Sequence, residues 1–275
     1  MPRRLLLPVL LLGVALWAPA VWGAPAADLW PRWTAHDAAS GLAVDHGAWS
    51  AFLGRYLVTA HPSGINRLRY EDVTPADRAG LAAYLDRLQA VPISRYRRPE
   101  QRAYWINLYN ALTVRVVLDH LPVLTIRDID ISPGWFSDGP WDASLARVEG
   151  EPLTLNDIEH RILRPIWRDP RLHYAVNCAS LGCPNLAPTA YTAANSEALL
   201  EQAARAYVNH PRGAAFRDGD LVVSSIYRWF QEDFGGSEAG VLRHLRRYAA
   251  GRLAERLRDH RGGLDHAYDW TLNAP

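Results

Sequence analysis

The sequence has no lysine and no marked excess of charge of either sign. All 30 basic residues are arginine, against 29 acidic residues, which gives a net charge of +1. Removal of residues 1–23, which contain Arg3 and Arg4 but no acid, leaves 28 bases and 29 acids, a net charge of −1. Proteins that bind nucleic acid or anionic membranes use concentrated positive charge. We therefore expect neither as a partner.

Cysteine is also scarce. Cys178 and Cys183 are the only two cysteines in the 275 residues. Small secreted scaffolds that depend on disulfides use more cysteines than this. The core must therefore be held by packing, and 11 tryptophans and 12 tyrosines supply much of the area it buries.

Long apolar runs are missing except near the N-terminus. Residues 5–17 form an apolar run of about 13 residues, whereas a membrane span needs about 20. Arg3 and Arg4 precede this run, and small residues follow it. The pattern predicts a signal peptide over residues 1–23, with cleavage as late as residue 26, and a periplasmic or secreted protein. An uncleaved anchor is the alternative; after cleavage no stable membrane anchor is expected.

The rest of the sequence predicts many helices and few, short strands. Apolar spacing predicts helices at 45–57, 74–89, 100–120, 154–163, 196–208, 226–233 and 238–258. Turn residues and alternation predict hairpins at 145–153 and 216–224 and a strand at 171–177. This mixture favours an α+β class: a single helix-rich domain around a small antiparallel or mixed sheet. We assign residues 27–95 to an N-terminal helical part packed on a main domain at 96–275.

The segment with the most chemical content is 153–188, LTLNDIEHRILRPIWRDPRLHYAVNCASLGCPNLAP. Cys178 follows the predicted strand and precedes a turn of small residues at 179–182. A nucleophilic thiol needs a base and exposed N–H groups that stabilise an oxyanion. We predict Cys178 as the nucleophile, the amides of 179–182 as oxyanion donors, and Ser180 as a substrate-binding residue.

His160, on the predicted helix 154–163, is the preferred base. In the predicted strand, His173 lies on the face that points away from Cys178, because side chains alternate along a strand. Glu159 is the candidate carboxylate that orients His160, although adjacent residues of a helix do not face each other.

Two asparagines lie on the strongly apolar helix predicted at 100–120. Asn107 and Asn110 are three residues apart and share a face, and asparagine is a poor helix former. They either satisfy buried backbone groups or line a pocket. We carry both as candidate substrate-binding residues, and either is an alternative to Glu159 for orienting His160.

Other roles for the two cysteines remain open. In an oxidising compartment Cys178 and Cys183 can form a structural disulfide. A zinc site with His173 lacks a fourth ligand and the usual cysteine spacing, so no metal is predicted. A redox role ranks last, because the Cys-x-x-Cys spacing and a βαβ pattern are missing. No cofactor is predicted.

Several segments together resemble one known family. They are YWINLYNAL (104–112), LNDIEHRILRP (155–165), DPRLHYAVNCASLGCPNL (169–186), AYTAANSEALL (190–200), SIYRWFQEDFGG (225–236) and YDWTLN (268–273). In this order they resemble the domain of unknown function 547, from about residue 95 to the C-terminus.

The resemblance implies a mixed α/β domain similar to papain-like and transglutaminase-like thiol enzymes, and bacterial members are often exported. It places Cys178 and His160 at the positions of a catalytic pair, with Glu159 in the same motif. The order His before Cys is the reverse of papain. In plant relatives the position of Cys183 is often serine, which argues against an obligate disulfide.

We therefore expect an exported thiol-dependent acyl-transfer enzyme with a Cys-His pair. It would be a hydrolase or transferase that acts on an amide, isopeptide or thioester, such as a peptide or γ-glutamyl thiol. The alternative is a non-catalytic extracytoplasmic binding or scaffold module. In that case Trp135, Phe136 and Trp141 form an exposed patch and Cys178–Cys183 is a structural disulfide.

Overall fold

The structure is a computed structural model that describes residues 25–134 and 138–275. The predicted signal peptide (1–23) and Trp135 and Phe136 of the predicted patch lie outside these residues. Within the described ranges, no helix has the length and apolar character needed to cross a membrane.

The α-helices carry most of the regular structure. In the described part of the chain they are α1 (Gly47–Tyr56), α2 (Pro75–Gln89), α3 (Arg98–Asp119), α4 (Arg164–Trp167), α5 (Ser196–Val208), α6 (Ile226–Trp229), α7 (Glu238–Tyr248) and α8 (Gly251–Asp259). Shorter 3₁₀ turns lie at Pro31–Thr34, Tyr70–Asp72, Ile93–Arg95, Ile126–Asp128 and Pro170–Tyr174, and a π-helix at Asp157–Leu163.

Helix α2 shows how local sequence fixes an element. The Thr74 hydroxyl accepts a hydrogen bond from the Asp77 amide at 3.1 Å, and Pro75 occupies the first helical position. Both features favour a helix start, because they deal with N–H groups that lack intrahelical partners. The predicted start and the predicted end at residue 89 are confirmed.

Helix α3 is the central element of the fold. Almost every residue from Ala103 to Leu118 is buried, on all faces of the helix. A helix that is apolar all round is expected inside a protein, not on its surface. It shares one core cluster with Trp49 of α1 and Leu85 of α2, so the N-terminal part packs on the main domain.

The strands are short and form small sheets. They are β1 (Leu57–Val58), β2 (Arg67–Leu68), β3 (Ala146–Val148), β4 (Glu151–Leu153), β5 (Ala214–Arg217), β6 (Asp220–Ser224) and β7 (Asp265–Ala267). The pairs β1–β2, β3–β4 and β5–β6 are antiparallel, and β7 joins β6 in parallel. Both predicted hairpins and the α+β class are confirmed.

The predicted strand 171–177 is wrong. Residues Pro170–Tyr174 form a 3₁₀ turn, and the Asp169 side chain accepts a hydrogen bond from the Arg171 amide at 2.9 Å. An aspartate before a proline is a helix start signal, which outweighs the apparent alternation in so short a segment. The argument that His173 points away from Cys178 therefore has no basis.

Some predicted helices have different limits. The long helix predicted at 238–258 is two helices, α7 and α8, because Ala249 and Ala250 adopt extended conformations between them. Helix α6 ends at Trp229, four residues before the predicted end. The helix predicted at 154–163 keeps its capping pair, Thr154 and Asp157, but continues as a π-helix.

The two asparagines of α3 hold loops against the helix. Asn107 donates to the Tyr191 carbonyl at 2.7 Å and accepts from the Tyr191 amide at 2.9 Å. Asn110 donates to the Ala175 carbonyl at 2.9 Å and accepts from the Asn177 amide at 2.8 Å. Both side chains are buried. Of the two interpretations, satisfaction of buried backbone is the one that these contacts support.

Replacement of Asn107 by alanine should destabilise the fold. It leaves the amide and carbonyl of Tyr191 buried without partners, and each unpaired group costs about 1–3 kcal/mol. We expect the free energy of unfolding, measured by urea denaturation, to fall by about 3 kcal/mol. Gln202→Ala, which removes an exposed amide side chain of α5, is the control and should cost less than half as much. An equal loss of unfolding free energy in the two variants would contradict a stabilising role for the hydrogen bonds of Asn107 to Tyr191.

Candidate functional site

A cavity of about 250 Å³ lies beside Cys178. Its wall is largely aromatic, formed by Tyr109, Trp141, Trp229, Phe230, Tyr268 and Trp270. Ionisable groups line it as well, namely Glu159, His160, His173, Cys178 and Cys183. The structure thus brings the predicted residues Cys178, His160 and Glu159 to one cavity.

The backbone after Cys178 turns sharply. Ala179 has φ of 58°, a left-handed conformation that costs a non-glycine residue about 1 kcal/mol or more. The Asn177 side chain stabilises the turn by accepting a hydrogen bond from the Ala179 amide at 2.8 Å. The Asn273 amide donates to the Ala179 carbonyl at 3.0 Å. These contacts fix the position of the thiol.

The C-terminal segment 268–273 runs beside the cysteine loop. The Leu181 amide donates to the Thr271 carbonyl at 2.8 Å, and the Gly182 amide donates to the Asp269 carbonyl at 2.7 Å. A side chain at Gly182 would meet the Asp269 backbone at 2.8 Å, so only glycine allows this approach. With the Ala179 amide bound to Asn177, three of the four amides predicted as oxyanion donors are already occupied, which corrects that expectation.

Three polar groups surround the Cys178 sulfur. The Cys183 sulfur lies at 3.0 Å, the Tyr268 hydroxyl at 3.1 Å and the Ser180 hydroxyl at 3.4 Å. Ser180 also donates to the Tyr268 oxygen at 3.1 Å, which leaves the Tyr268 hydroxyl proton free to point at sulfur. Ser180 is buried and acts through Tyr268, rather than on the cavity side.

These contacts favour the thiolate of Cys178. A thiolate has no proton and can only accept, so the Tyr268 O–H and the Cys183 S–H can donate to it, while the Ser180 proton is directed at Tyr268. The hydrogen bond from Cys183 lowers the pKa of Cys178, burial opposes it, and the hydroxyls of Ser180 and Tyr268 lower it further. Because the thiolate is the nucleophilic form, Cys178 is activated without a contact to histidine.

Cys183 has the opposite character. It is 4% exposed, whereas Cys178 is half-buried, and both thiols are free. Burial raises the pKa of Cys183 well above its ordinary value, and the neighbouring Cys178 raises it further. The Cys178 amide donates to the Cys183 sulfur at 3.0 Å. The site therefore contains a half-buried thiol with a lowered pKa beside a more deeply buried thiol with a raised pKa, and both line the cavity.

A second polar cluster is centred on His173. Its Nε2 lies 2.7 Å from Asp233 Oδ2 and its Nδ1 lies 3.7 Å from Glu159 Oε1. Burial lowers the pKa of His173, but the hydrogen bond to Asp233 and the nearby carboxylate of Glu159 outweigh burial and raise it. Contrary to the sequence-based expectation, His173 lines the same cavity as Cys178.

His160 is held as a neutral imidazole. Arg164 Nη1 donates to its Nδ1 at 3.0 Å, and because arginine has no acceptor, the proton of the neutral ring is on Nε2. Burial lowers the pKa of His160 to about 4; Glu159 opposes this shift and Arg164 adds to it. No hydrogen bond joins His160 to Cys178 among the described contacts, so the pair does not meet directly.

The π-helix at Asp157–Leu163 explains how adjacent residues reach one cavity. A π-helix turns less per residue than an α-helix, so neighbouring side chains diverge less, and such segments are frequent at functional sites. Glu159 and His160 both line the cavity. Burial would raise the pKa of Glu159, but His160, His173 and Arg164 reverse the effect and hold it at about 2.

Sequence reasoning missed four participants: His173, Asp233, Tyr268 and Arg164. The sequence did contain a signal for two of them, because Asp233 and Tyr268 lie in segments 225–236 and 268–273, which resemble the family. The sequence analysis assigned no function to either segment. Asn107 and Asn110 do not line the cavity. In the described part of the chain no group of three or more His, Cys, Asp or Glu side chains is arranged to hold a metal ion.

Comparison with known protein families supports the resemblance. Residues 93–208 match the family described as "Protein of unknown function, DUF547". The predicted resemblance is thus confirmed over these residues, which make up less than half of the chain. The match includes Glu159, His160, His173 and both cysteines, but not Asp233 or Tyr268. No curated protein and no solved structure matched the chain.

The low pKa of the Cys178 thiol should depend on Tyr268. We expect alkylation of Cys178 by iodoacetamide to show an inflection below the free-thiol value of about 8.5. Tyr268→Phe removes a donor to the thiolate and should move the inflection to higher pH. Tyr104→Phe, which removes a hydroxyl bound to the remote Leu88 carbonyl, is the matched control. An unchanged inflection in Tyr268→Phe would exclude this hydrogen bond as a source of activation.

Asp233 should stabilise the fold in a pH-dependent way. The raised pKa of His173 means that its contribution is complete below about pH 6.5 and is lost as pH rises through the folded-state pKa. Asp233→Asn should lower the free energy of unfolding at pH 6 by about 3 kcal/mol, because it leaves Arg164 and His173 without their carboxylate.

The same variant should lose less stability between pH 6 and pH 9 than the parent protein. Urea unfolding at pH 6, 7.5 and 9 measures both effects. Glu232→Gln removes a neighbouring exposed carboxylate and is the control. If Asp233→Asn and Glu232→Gln behave alike at pH 6, the buried pair has no stabilising role.

Proposed function

We propose that the protein is an exported thiol-dependent acyl-transfer enzyme with Cys178 as its nucleophile. The observation that carries this proposal is a half-buried thiol, surrounded by hydrogen-bond donors, in the wall of a cavity of about 250 Å³. Its substrate would be an amide, isopeptide or thioester, such as a peptide or a γ-glutamyl thiol. Export rests on the residue pattern of 1–26.

In the proposed reaction the Cys178 thiolate attacks the acyl carbonyl and forms a tetrahedral oxyanion. Tyr268 remains protonated, because burial raises its pKa well above the ordinary value. Its hydroxyl can therefore donate to the thiolate before attack. Neutral His160, whose proton is on Nε2, is assigned the role of donor to the carbonyl oxygen, since its Nδ1 is bound to Arg164.

The leaving group decides whether an acid is needed. A thioester releases a thiolate directly, whereas an amide releases an amine that must gain a proton. His173 lies between Glu159 and Asp233, which raise its pKa, and it is assigned as the acid that lines the cavity, with Glu159 as its positioning partner. Water as the second substrate gives hydrolysis, and an amine gives transfer.

The cavity wall supports a substrate with an apolar or planar group next to the carbonyl. Trp229, Tyr268 and Trp270 contact one another, with ring centres 4.7–5.6 Å apart. Trp141 contacts Trp270 at 5.8 Å, so it belongs to the cavity wall and not to a separate surface patch. These tilted and edge-to-face rings offer an apolar surface on which an apolar or planar group can pack. The alternative, a non-catalytic binding module, would use this same wall.

The proposal extends from the α+β class to a more specific fold relationship. We propose an architecture related to papain-like or transglutaminase-like thiol enzymes. Its support is a thiol that follows a short turn, with histidine and carboxylate groups in the same cavity. Both cavity histidines precede Cys178 in the chain, which is the reverse of papain, so the connectivity would be rearranged.

Cys178→Ala should abolish turnover without loss of the fold. The test uses the protein without residues 1–23 and a panel of γ-glutamyl and alanyl p-nitroanilides and acyl thioesters. Mass spectrometry of quenched reactions should show an acyl group on Cys178. His160→Gln, which keeps a side-chain N–H donor, should retain more activity than His160→Ala.

Cys183→Ala is the matched control for loss of a thiol. It removes one donor to the thiolate and should slow acylation without abolishing it. Full turnover by Cys178→Ala, or an acyl adduct at another residue, would overturn the proposed mechanism. Binding of the same compounds without any adduct or product would favour the non-catalytic module.

A further inference from the structure

We propose that Cys178 and Cys183 form a dithiol–disulfide couple that reacts with disulfides of low-molecular-weight thiols or peptides. This is a second activity of the same cavity, and it does not depend on acyl transfer. The observation behind it is the contact between the two sulfur atoms, which lie 3.0 Å apart with both thiols free.

Four residues separate the cysteines, so their spacing allows a disulfide but does not show that the two sulfurs meet. The structure shows why they nevertheless meet. The left-handed Ala179 and the bonds from Leu181 and Gly182 to the C-terminal segment bend the loop back on itself. Since a disulfide bond is about 2.05 Å long, closing it needs a displacement of about 1 Å.

The two thiols differ in the way that thiol–disulfide exchange requires. Both cysteines line the cavity, but Cys178 is half-buried and Cys183 is buried, so Cys178 is the more accessible of the two to a disulfide. With both thiols protonated, the Cys178 S–H donates to the Cys183 sulfur and the Cys183 S–H points at the Val176 carbonyl. When Cys178 is deprotonated, the Cys183 thiol and the Tyr268 hydroxyl are the groups that can donate to its thiolate. Cys178 is therefore the attacking sulfur and Cys183 the resolving one.

The exchange proceeds in two steps. The Cys178 thiolate attacks one sulfur of a disulfide RSSR, forming a Cys178–SR bond and releasing RS⁻. Cys183 then loses its proton to solvent, and its sulfur attacks Cys178, which breaks the Cys178–SR bond and releases a second RS⁻. The protein dithiol is oxidised by two electrons, and RSSR is reduced to two thiols.

Oxidation also removes the nucleophile that the proposed acyl transfer needs. In the oxidised protein the Cys178 sulfur is bonded to the Cys183 sulfur, so no thiolate can form at Cys178. The same chemistry would therefore turn acyl transfer off, and a reduced thiol would restore it. This consequence rests on the proposed function, whereas the couple itself does not.

The test mixes the reduced protein, lacking residues 1–23, with oxidised glutathione in buffers of varied glutathione ratio, with no acyl substrate present. Quenched samples are analysed by mass spectrometry. The parent protein should form the Cys178–Cys183 disulfide and retain no glutathione. Cys183→Ser should accumulate a glutathione adduct at Cys178, and Cys178→Ser should form no adduct.

If a variant fails to fold, the measurement on the parent protein is sufficient to test the couple. A lasting glutathione adduct on the parent protein, or two thiols that remain reduced at every ratio, would overturn the couple. Acyl turnover is measured separately on the reduced protein and on Cys183→Ser. If acyl turnover is retained but no internal disulfide forms, the dithiol–disulfide couple is rejected and acyl transfer is not. If the disulfide forms but no acyl turnover is found, acyl transfer is rejected and the couple is not.

Discussion

The site depends on the side-chain amide of Asn110. This side chain projects from the buried helix α3. It donates to the Ala175 carbonyl and accepts from the Asn177 amide, both in the segment that leads to Cys178. Asn177 in turn holds the left-handed Ala179. A strained turn persists only where its surroundings overdetermine it. The rigid core thus fixes the thiol through a short series of buried amide hydrogen bonds, so the geometry of the cavity is a property of the fold and not of a mobile loop.

Charge in the cavity wall is balanced in place. The carboxylates of Glu159 and Asp233 interact with the Arg164 guanidinium and with His173, whose pKa they raise, while His160 stays neutral. Unpaired buried charges are costly, whereas a hydrogen-bonded set with no net charge tolerates burial. The charge of Glu159 raises the pKa of Cys178, so the lowered pKa of this thiol comes from the neighbouring hydrogen-bond donors and not from the charged groups of the wall. This separates the two halves of the site: one activates sulfur, and the other orients or protonates a substrate.

The class of the fold and the position of the thiol could be predicted from the sequence, because they depend on local signals. Thr74 and Pro75 begin α2, and Glu149-Gly150 and Asp218-Gly219 turn the hairpins. The predicted strand 171–177 failed because Asp169 and Pro170 start a 3₁₀ turn. The roles of Tyr268 and Asp233 depend on contacts across 90 and 60 residues, and no local pattern reports such contacts. A spacing of five likewise does not show that two sulfurs touch.

The same hydrogen bonds to Cys178 act in both proposed reactions. The rate of either reaction therefore cannot be raised without limit by lowering the pKa of this thiol. Donors that lower the pKa of Cys178 increase the thiolate fraction, but they also reduce the intrinsic nucleophilicity of the sulfur. Cys183 is a donor only while it keeps its proton, and its raised pKa ensures that it does. Once Cys178 is bonded to a substrate, the Cys183 thiol loses that charged acceptor and becomes a free neighbour 3.0 Å away. Whether the bound substrate is an acyl group or a thiol then decides the next step. Water or an amine attacks an acyl carbon, whereas the Cys183 sulfur is the nearest group that can attack a mixed disulfide.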